Sequence, residues 1–127
     1  MDFIWLTQEL VSAFHMRQLA EHGGGAGLRD AGLLDSALQR PQNKMIYGEP
    51  DISELAAAYA YGIARNHPFI DGNKRTALVA SFSFLYLNGY KVATSQIENV
   101  RVFLSLASGT LMEDELAAWF RKNIKKF

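Results

Sequence analysis

A nonapeptide near the middle of the chain holds the side chains with the clearest capacity for chemistry. Residues 67–75 read HPFIDGNKR, so an imidazole, a carboxylate, an amide and two cations stand within nine positions. Apolar patterns typical of helices flank this segment on both sides. Buried polar groups without partners are costly, and a purely structural connection rarely gathers so many of them. The nonapeptide therefore predicts a functional site.

Its second half has the composition of a phosphate-binding site. Gly72 and Asn73 fall where a helix is expected to begin, and the first N–H groups of a helix lack intrahelical partners and carry partial positive charge. Glycine there lets an anion approach the backbone closely. Lys74 and Arg75 add two cations, and a guanidinium can bind two phosphate oxygens at once. We expect these four residues to bind phosphate.

The remaining side chains suggest a metal and a base. Asp71 can hold Mg²⁺, which commonly binds one or two carboxylates together with phosphate oxygens. His67 carries an imidazole, the side chain that most often serves as a general base, and it can take a proton from a hydroxyl group. Taken singly, Asp71 and Asn73 also suit helix caps, and His67 suits a structural role. Phe69 is predicted to be a core anchor of the loop. The conjunction in nine residues favours function.

The elements around the nonapeptide are predicted to be helical almost throughout. Thr7 caps a first helix that ends at Gly23, and a short second helix stops before Pro41. The segment from Gln42 to Pro50 lacks helical periodicity and is expected to form a loop or a small hairpin. We predict an all-α fold, a compact helical bundle in one domain that spans residues 1–127.

Capping patterns predict where the other helices begin. Asp51 with Glu54, Ser95 with Glu98, and Thr110 with Glu113 resemble capping boxes. The run 76–87 is apolar on all sides, which predicts a buried central helix closed by Asn88 and Gly89. The last helix is expected to include Ile124 and to end in lysines.

Composition excludes several classes of function. The 127 residues hold 13 basic and 13 acidic side chains, so no overall field would draw the chain to nucleic acid or to anionic lipid. No cysteine is present, which excludes disulfides and thiolate metal sites. The first residues do not resemble a signal peptide, and no apolar run approaches the ~18 residues needed to span a bilayer. The expected compartment is the cytoplasm.

The nonapeptide resembles the signature of the Fic superfamily, HPFx(D/E)GNGRxxR. Lys74, where most members have glycine, makes it similar to the death-on-curing (Doc) toxins of type II toxin–antitoxin modules. The segments GLRD at 27–30, GLL at 32–34 and RPQ at 40–42 also resemble that family, so the similarity covers nearly the whole chain.

The resemblance implies a role for each residue of the motif. His67 would deprotonate a target hydroxyl, Asp71 would bind Mg²⁺, and the residues from Gly72 to Arg75 would hold the phosphates of ATP. It implies a protein kinase that transfers the γ-phosphate to elongation factor Tu and so inhibits translation. It further implies an antitoxin whose disordered tail folds into the active-site groove.

Two departures from the signature bear on the reaction type. Lys74 would fill the anion hole that the AMP-transferring members use, and Leu78 replaces the trailing arginine of the signature. Both weaken the alternative of a Fic-type protein adenylyltransferase, although Pro68 and Gly72 follow the general Fic pattern. A non-catalytic binding module is a third alternative, but pure binding has no use for His67.

Four further features have competing interpretations. Residues 94–99 match the (S/T)xxxE(G/N) pattern of Fic inhibitory helices, but the capping box at Ser95 is the preferred explanation. Residues 42–48 are either a target-docking flap or an ordinary loop. His15 and His22 are expected to be structural or solvent-facing, and the glycine-rich segment 23–27 is assigned no chemistry.

Overall fold

In the part of the chain that the structure describes, six helices and one small sheet make up the fold. The computed structural model describes residues 2–127. The elements in chain order are α1 (Gln8–His22), α2 (Ala31–Tyr47), α3 (Ile52–Asn66), α4 (Asn73–Leu87), β1 (Tyr90–Val92), α5 (Gln96–Ser108), α6 (Glu113–Asn123) and β2 (Ile124–Lys126). The predicted all-α class is confirmed, since the two strands have three residues each. No helix among residues 2–127 is long and apolar enough to cross a membrane.

Helix α3 is the central element, and it packs against α2, α4, α5 and α6. Five of its ten buried residues are alanines, and Gly62 lies so near α2 that a Cβ there would be 3.1 Å from the Cα of Ala37. Small side chains thus let α3 approach its neighbours closely. The sequence predicted that the apolar run 76–87 would be the central helix. That prediction was wrong in part, because Tyr86 and Leu87 at the end of α4 are exposed.

The first and third helices begin as the sequence predicted. Thr7 caps α1 by accepting a bond from the N–H of Leu10, and α1 ends at the Gly23 cap. Asp51 forms the predicted capping box with Glu54, in which each side chain accepts a bond from the other residue's N–H. Because a capping box is a contact between residues three apart, the local sequence is enough to define it.

Helix α2 does not stop before Pro41, so that prediction was wrong. It continues through Tyr47 with the proline inside it. Proline removes one helical hydrogen bond, but Pro41 is buried and Met45, one turn later, packs against the core. Tertiary packing therefore lets the helix continue past the proline.

The segment 42–50, which we expected to be a loop or hairpin, is mostly helical, and it precedes the start of α3. Since α3 rises by about 22 Å over its 15 residues, this segment lies far from His67 and cannot serve as a flap over it.

Two other boundaries differ from the predicted ones. The predicted capping box of Thr110 with Glu113 does not form, because the carboxylate of Glu113 binds Arg40 and Lys44 of α2. Helix α6 instead starts at Glu113, and the N–H of Met112 donates to the side chain of Glu115. The predicted last helix includes Ile124, but the chain leaves the helix at Asn123, and β2 pairs antiparallel with β1. A partner from elsewhere in the chain decides each boundary.

Candidate active site

Residues 67–72 of the nonapeptide form the connection between α3 and α4, its last three residues open α4, and the backbone is unusual at both ends of the connection. His67 has the left-handed conformation with φ 50° and ψ 55°, and its N–H bonds to the carbonyl of Ile63. For a residue with a Cβ this conformation costs roughly 1–2 kcal/mol. Gly72, also left-handed with φ 79°, precedes the first residue of α4. Surrounding contacts must therefore hold His67 in place.

The side chain of Asn73 shapes the loop from inside. Its Oδ1 accepts the N–H of Phe69 and its Nδ2 donates to the carbonyl of Phe69, both at 2.9 Å. The same Nδ2 lies 3.4 Å from Nδ1 of His67, so the imidazole turns this nitrogen toward the loop. Asn73 is 7% exposed. Its amide is therefore occupied within the protein, and what it can offer an anion is its backbone N–H.

The start of α4 presents free donors and cations. The first helical bond of this region runs from the N–H of Thr76 to the carbonyl of Gly72. Within residues 2–127, the N–H groups of Asn73, Lys74 and Arg75 have no acceptor, and no carboxylate forms a salt bridge with Lys74 or Arg75. Free N–H groups at a helix start attract anions, and the two side chains add positive charge.

Asp71 is an exposed carboxylate held by backbone donors. Its Oδ1 accepts the N–H of Gly72 at 2.8 Å and its Oδ2 accepts the N–H of Gly25 at 3.3 Å. These two bonds lower the pKa of Asp71 below its ordinary value of 3.8, and the bond from Gly72 has the larger effect. The group is consequently ionised at neutral pH.

The single carboxylate of Asp71 fits a divalent cation that takes its other ligands from a bound phosphate and from water. No cluster of three His, Cys, Asp or Glu side chains exists in the described part of the chain. A cation at Asp71 would need phosphate oxygens and water for its other positions, which is the usual habit of Mg²⁺.

These groups face one open cleft of about 720 Å³, within the range of small-molecule sites. The nonapeptide forms one side, the end of α1 with His22 forms a second, and Leu104 and Ser108 of α5 contribute to a third. A second cavity of about 550 Å³ lies between α2, α3 and α6, but Arg40 and Arg121 there already pair with Glu113 and Asp51. Only the first of these two cavities offers unpaired cations to an anion.

His15, which we expected to be structural or solvent-facing, is a buried support of the loop. It is 3% exposed, and its ring stacks on Phe69 with centroids 3.9 Å apart and planes at 9°. Its Nε2–H donates to the backbone carbonyl of Asp71 at 2.7 Å. Phe69 itself is 2% exposed. One helix face thus fixes both the aromatic anchor and the backbone of the carboxylate residue.

A second support is the segment Gly27–Asp30, here termed the strap. The N–H groups of Arg29 and Asp30 donate to the carbonyl of Pro68 at 2.7 and 3.0 Å, and the N–H of Ile70 donates to Gly27 at 3.1 Å. Leu28 and Phe69 form an antiparallel bridge within it. In the sequence these residues stood out only for their family resemblance. Their role could not be predicted, since the strap and the motif are far apart along the chain.

The glycine-rich segment, to which no chemistry was assigned, also touches the site. Gly24 has φ 122°, and a Cβ there would lie 2.7 Å from Oδ2 of Asp71. A Cβ on Gly25 would meet Ile70 at 3.2 Å. The absence of side chains here lets the end of α1 approach the carboxylate. The glycine run was visible in the sequence, but its neighbour was not.

The pattern resembling an inhibitory helix is explained by local bonds. Ser95 caps α5 by accepting the N–H of Glu98. The carboxylate of Glu98 does not close a capping box; it accepts a bond of 2.7 Å from Nε1 of Trp119. Leu78 lies one turn after Lys74 and lines a narrower groove beside the cleft. Glu98 is therefore engaged away from the nonapeptide.

Comparisons with known proteins identify the family of the chain. A family model described as the Fic/DOC family matches residues 5–85. Toxin Doc of Mycolicibacterium smegmatis (strain ATCC 700084 / mc(2)155) is 47% identical over 74 residues, and the match spans about half of each protein, 56% in both cases. Protein kinase doc of Escherichia phage P1 is 32% identical over 118 residues, which are 92% of this chain and 93% of that protein. The chain belongs to the Fic/DOC family.

Proposed function

We propose that this chain is a Doc-like protein kinase and the toxin of a type II toxin–antitoxin module. It transfers the γ-phosphate of ATP to a hydroxyl of a translation factor similar to elongation factor Tu and so inhibits translation in the cytoplasm. The relatives named Toxin Doc and Protein kinase doc support this proposal. The observation that carries it is Lys74, an unpaired cation beside the free N–H groups at the start of α4, in the same cleft as His67.

In the proposed reaction, His67 takes the proton from the target hydroxyl while that oxygen attacks the γ-phosphorus. The new oxygen–phosphorus bond forms as the bond to the β,γ-bridging oxygen breaks, and ADP leaves. The N–H groups at the start of α4, with Lys74 and Arg75, hold the phosphate oxygens and offset their charge. Catalysis of this kind depends mainly on positioning and charge stabilisation. When bound at Asp71, Mg²⁺ supplies further positive charge.

The alternative reaction is AMP transfer, and Lys74 separates the two. A lysine side chain supplies its own cation where AMP-transferring members of the family have a glycine. Leu78, in place of the trailing arginine, removes one contact that would steady a triphosphate in that orientation. These two residues favour phosphate transfer over AMP transfer.

The experiment uses ATP labelled separately at the α and γ positions, with purified elongation factor Tu as the acceptor. Wild type should place γ label on protein, and His67→Ala and Lys74→Gly should both lose it. Lys122→Gly is the matched control, since Lys122 is an exposed lysine in the last turn of α6. Label from the α position on protein would overturn the kinase proposal in favour of an adenylyltransferase. Binding of ATP with no transfer of either label, to this acceptor or to cell extract, would favour a binding module.

We also propose an antitoxin partner whose disordered tail folds over the groove beside the cleft. This groove of about 300 Å³ shares His22, Lys74 and Arg75 with the cleft, and its walls include Leu78 and Val100. An apolar groove next to an active site suits a segment that folds on binding. A small neighbouring gene for a DNA-binding antitoxin is expected. Val100→Asp should weaken inhibition by that antitoxin without reducing phosphate transfer.

A further inference from the structure

Arg29 joins the strap to the end of α3 through its side chain. Its Nε donates to the carbonyl of His67 at 2.7 Å, and its Nη2 donates to the carbonyl of Asn66 at 2.8 Å. The last carbonyls of a helix lack intrahelical donors, so the guanidinium satisfies two groups that would otherwise need water. Asn66 is fixed in turn, because its Nδ2 donates to the carbonyl of Leu33 at 3.0 Å.

The two carbonyls belong to the peptide planes on either side of one Cα. The Asn66 carbonyl lies in the plane that precedes His67, and the His67 carbonyl lies in the plane that follows it. Because peptide units are planar, the orientation of these two planes sets φ and ψ of the residue between them. Arg29 therefore fixes both dihedral angles of His67, the one non-glycine residue with positive φ in the described chain.

The guanidinium does not belong to the cleft wall. Arg29 is absent from the residues that line the 720 Å³ cleft, whereas His67 lines it. Both of its side-chain bonds go to backbone carbonyls. The planar fork of arginine suits two acceptors held at a fixed separation, which a lysine ammonium matches less well.

We propose that Arg29 is a positioning residue for His67. It acts through the backbone: it holds the left-handed conformation that directs the imidazole into the cleft, and it makes no contact with the nucleotide. The proposal rests on the proposed function in one respect, namely that His67 is the base for phosphate transfer. The strap's backbone bonds to Pro68 do not involve the Arg29 side chain, so a substitution there leaves the strap in place.

The test compares wild type, Arg29→Ala, Arg29→Lys and the control Arg17→Ala, whose exposed arginine pairs with Glu21. Transfer of γ-phosphate to purified elongation factor Tu gives kcat and the KM for ATP. We expect Arg29→Ala to lower kcat about ten- to hundredfold, as small misplacements of a catalytic group do, with KM unchanged. Arg29→Lys should recover part of kcat, and Arg17→Ala should match wild type.

A second measurement does not depend on activity. The chain has three histidines, so nitrogen–proton correlation spectra of the imidazole rings contain three ring systems. In Arg29→Ala the His67 signals should shift or broaden, while those of His15 and His22 stay in place. A thermal melt confirms that each variant is folded.

Three results would overturn the proposal: an unchanged kcat in Arg29→Ala, a raised KM with unchanged kcat, or unmoved His67 signals. A raised KM would mean that Arg29 contacts the nucleotide. If wild type transfers no phosphate, the proposed function fails, and the ring signals alone decide whether Arg29 positions His67.

Discussion

Replacing His15 with alanine should destabilise the protein by about 3 kcal/mol. Loss of the buried ring, which stacks on Phe69, removes packing of about 2 kcal/mol, less than a Phe→Ala change because imidazole is smaller. Loss of the donor to the Asp71 carbonyl adds about 1 kcal/mol, since Asp71 is exposed and water can take the donor's place. A domain of this length has a stability of roughly 6–19 kcal/mol, so it should still fold.

Urea unfolding followed by circular dichroism measures the change, and a melt should show Tm lower by about 10 °C. The matched control is His22→Ala, in the last turn of the same helix, where the side chain is 47% exposed. That variant should stay within about 0.5 kcal/mol of wild type. A loss below about 1 kcal/mol for His15→Ala, or equal losses for the two variants, would refute the reasoning, because the bond and the stack then contribute little.

A double-mutant cycle separates the ring stacking of His15 on Phe69 from the other contacts of His15. His15→Ala and Phe69→Leu, singly and together, should give a coupling free energy of about 1 kcal/mol, as expected for aromatic neighbours in contact. Additive losses would mean that the two rings do not stabilise each other.

Three further predictions concern single contacts. The pKa of the Asp71 carboxyl, measured by carbon NMR, should lie below 3.8, because its backbone donors favour the ionised form. The contribution of these bonds to stability is lost only as the pH falls through that lowered pKa. A titration midpoint above 3.8 would contradict the bonds. Gly24→Ala should weaken ATP binding in calorimetry, since its Cβ would displace the Asp71 carboxylate. Gly23→Ala is the control, because it carries similar backbone strain but its Cβ would have nothing within 4 Å. Equal affinities of the two variants for ATP would exclude a steric effect. Tyr59→Phe should cost about 1–3 kcal/mol by leaving the N–H of Leu6 without its acceptor. Burial raises the pKa of Tyr59 to about 12 from 10.0, so the unfolded chain loses this proton at a lower pH than the folded protein. Wild type should therefore lose stability as the pH rises between those two values, and Tyr59→Phe should lose less. Parallel losses would show that Tyr59 is not the group responsible.

Helix starts could be predicted wherever the stabilising contact is local. Thr7 and Asp51 cap residues three positions ahead, and Gly23 ends α1, so neighbouring residues alone carry the information. Prediction failed where a distant group decided the outcome. Pro41 remains helical because the core covers it, and Glu113 pairs with residues of α2, 73 positions away in the case of Arg40.

The sequence by itself determined the chemistry of the site. The order of groups from His67 to Arg75 places an imidazole, a carboxylate, a glycine and two cations next to a helix start, and the free donors of that start follow from helix geometry. No distant contact is needed for these properties. A short segment therefore suffices to predict both a phosphate site and a family resemblance.

Only the tertiary structure decided how the site is held. His15 reaches Asp71 across 56 positions, Gly25 reaches it across 46, and Arg29 reaches His67 across 38. Such contacts depend on how α1 and the strap pack against the connection between α3 and α4, which no local pattern encodes. Because a strained backbone persists only when its surroundings fix it, the sequence supplies the reactive groups of this site and the fold supplies their geometry.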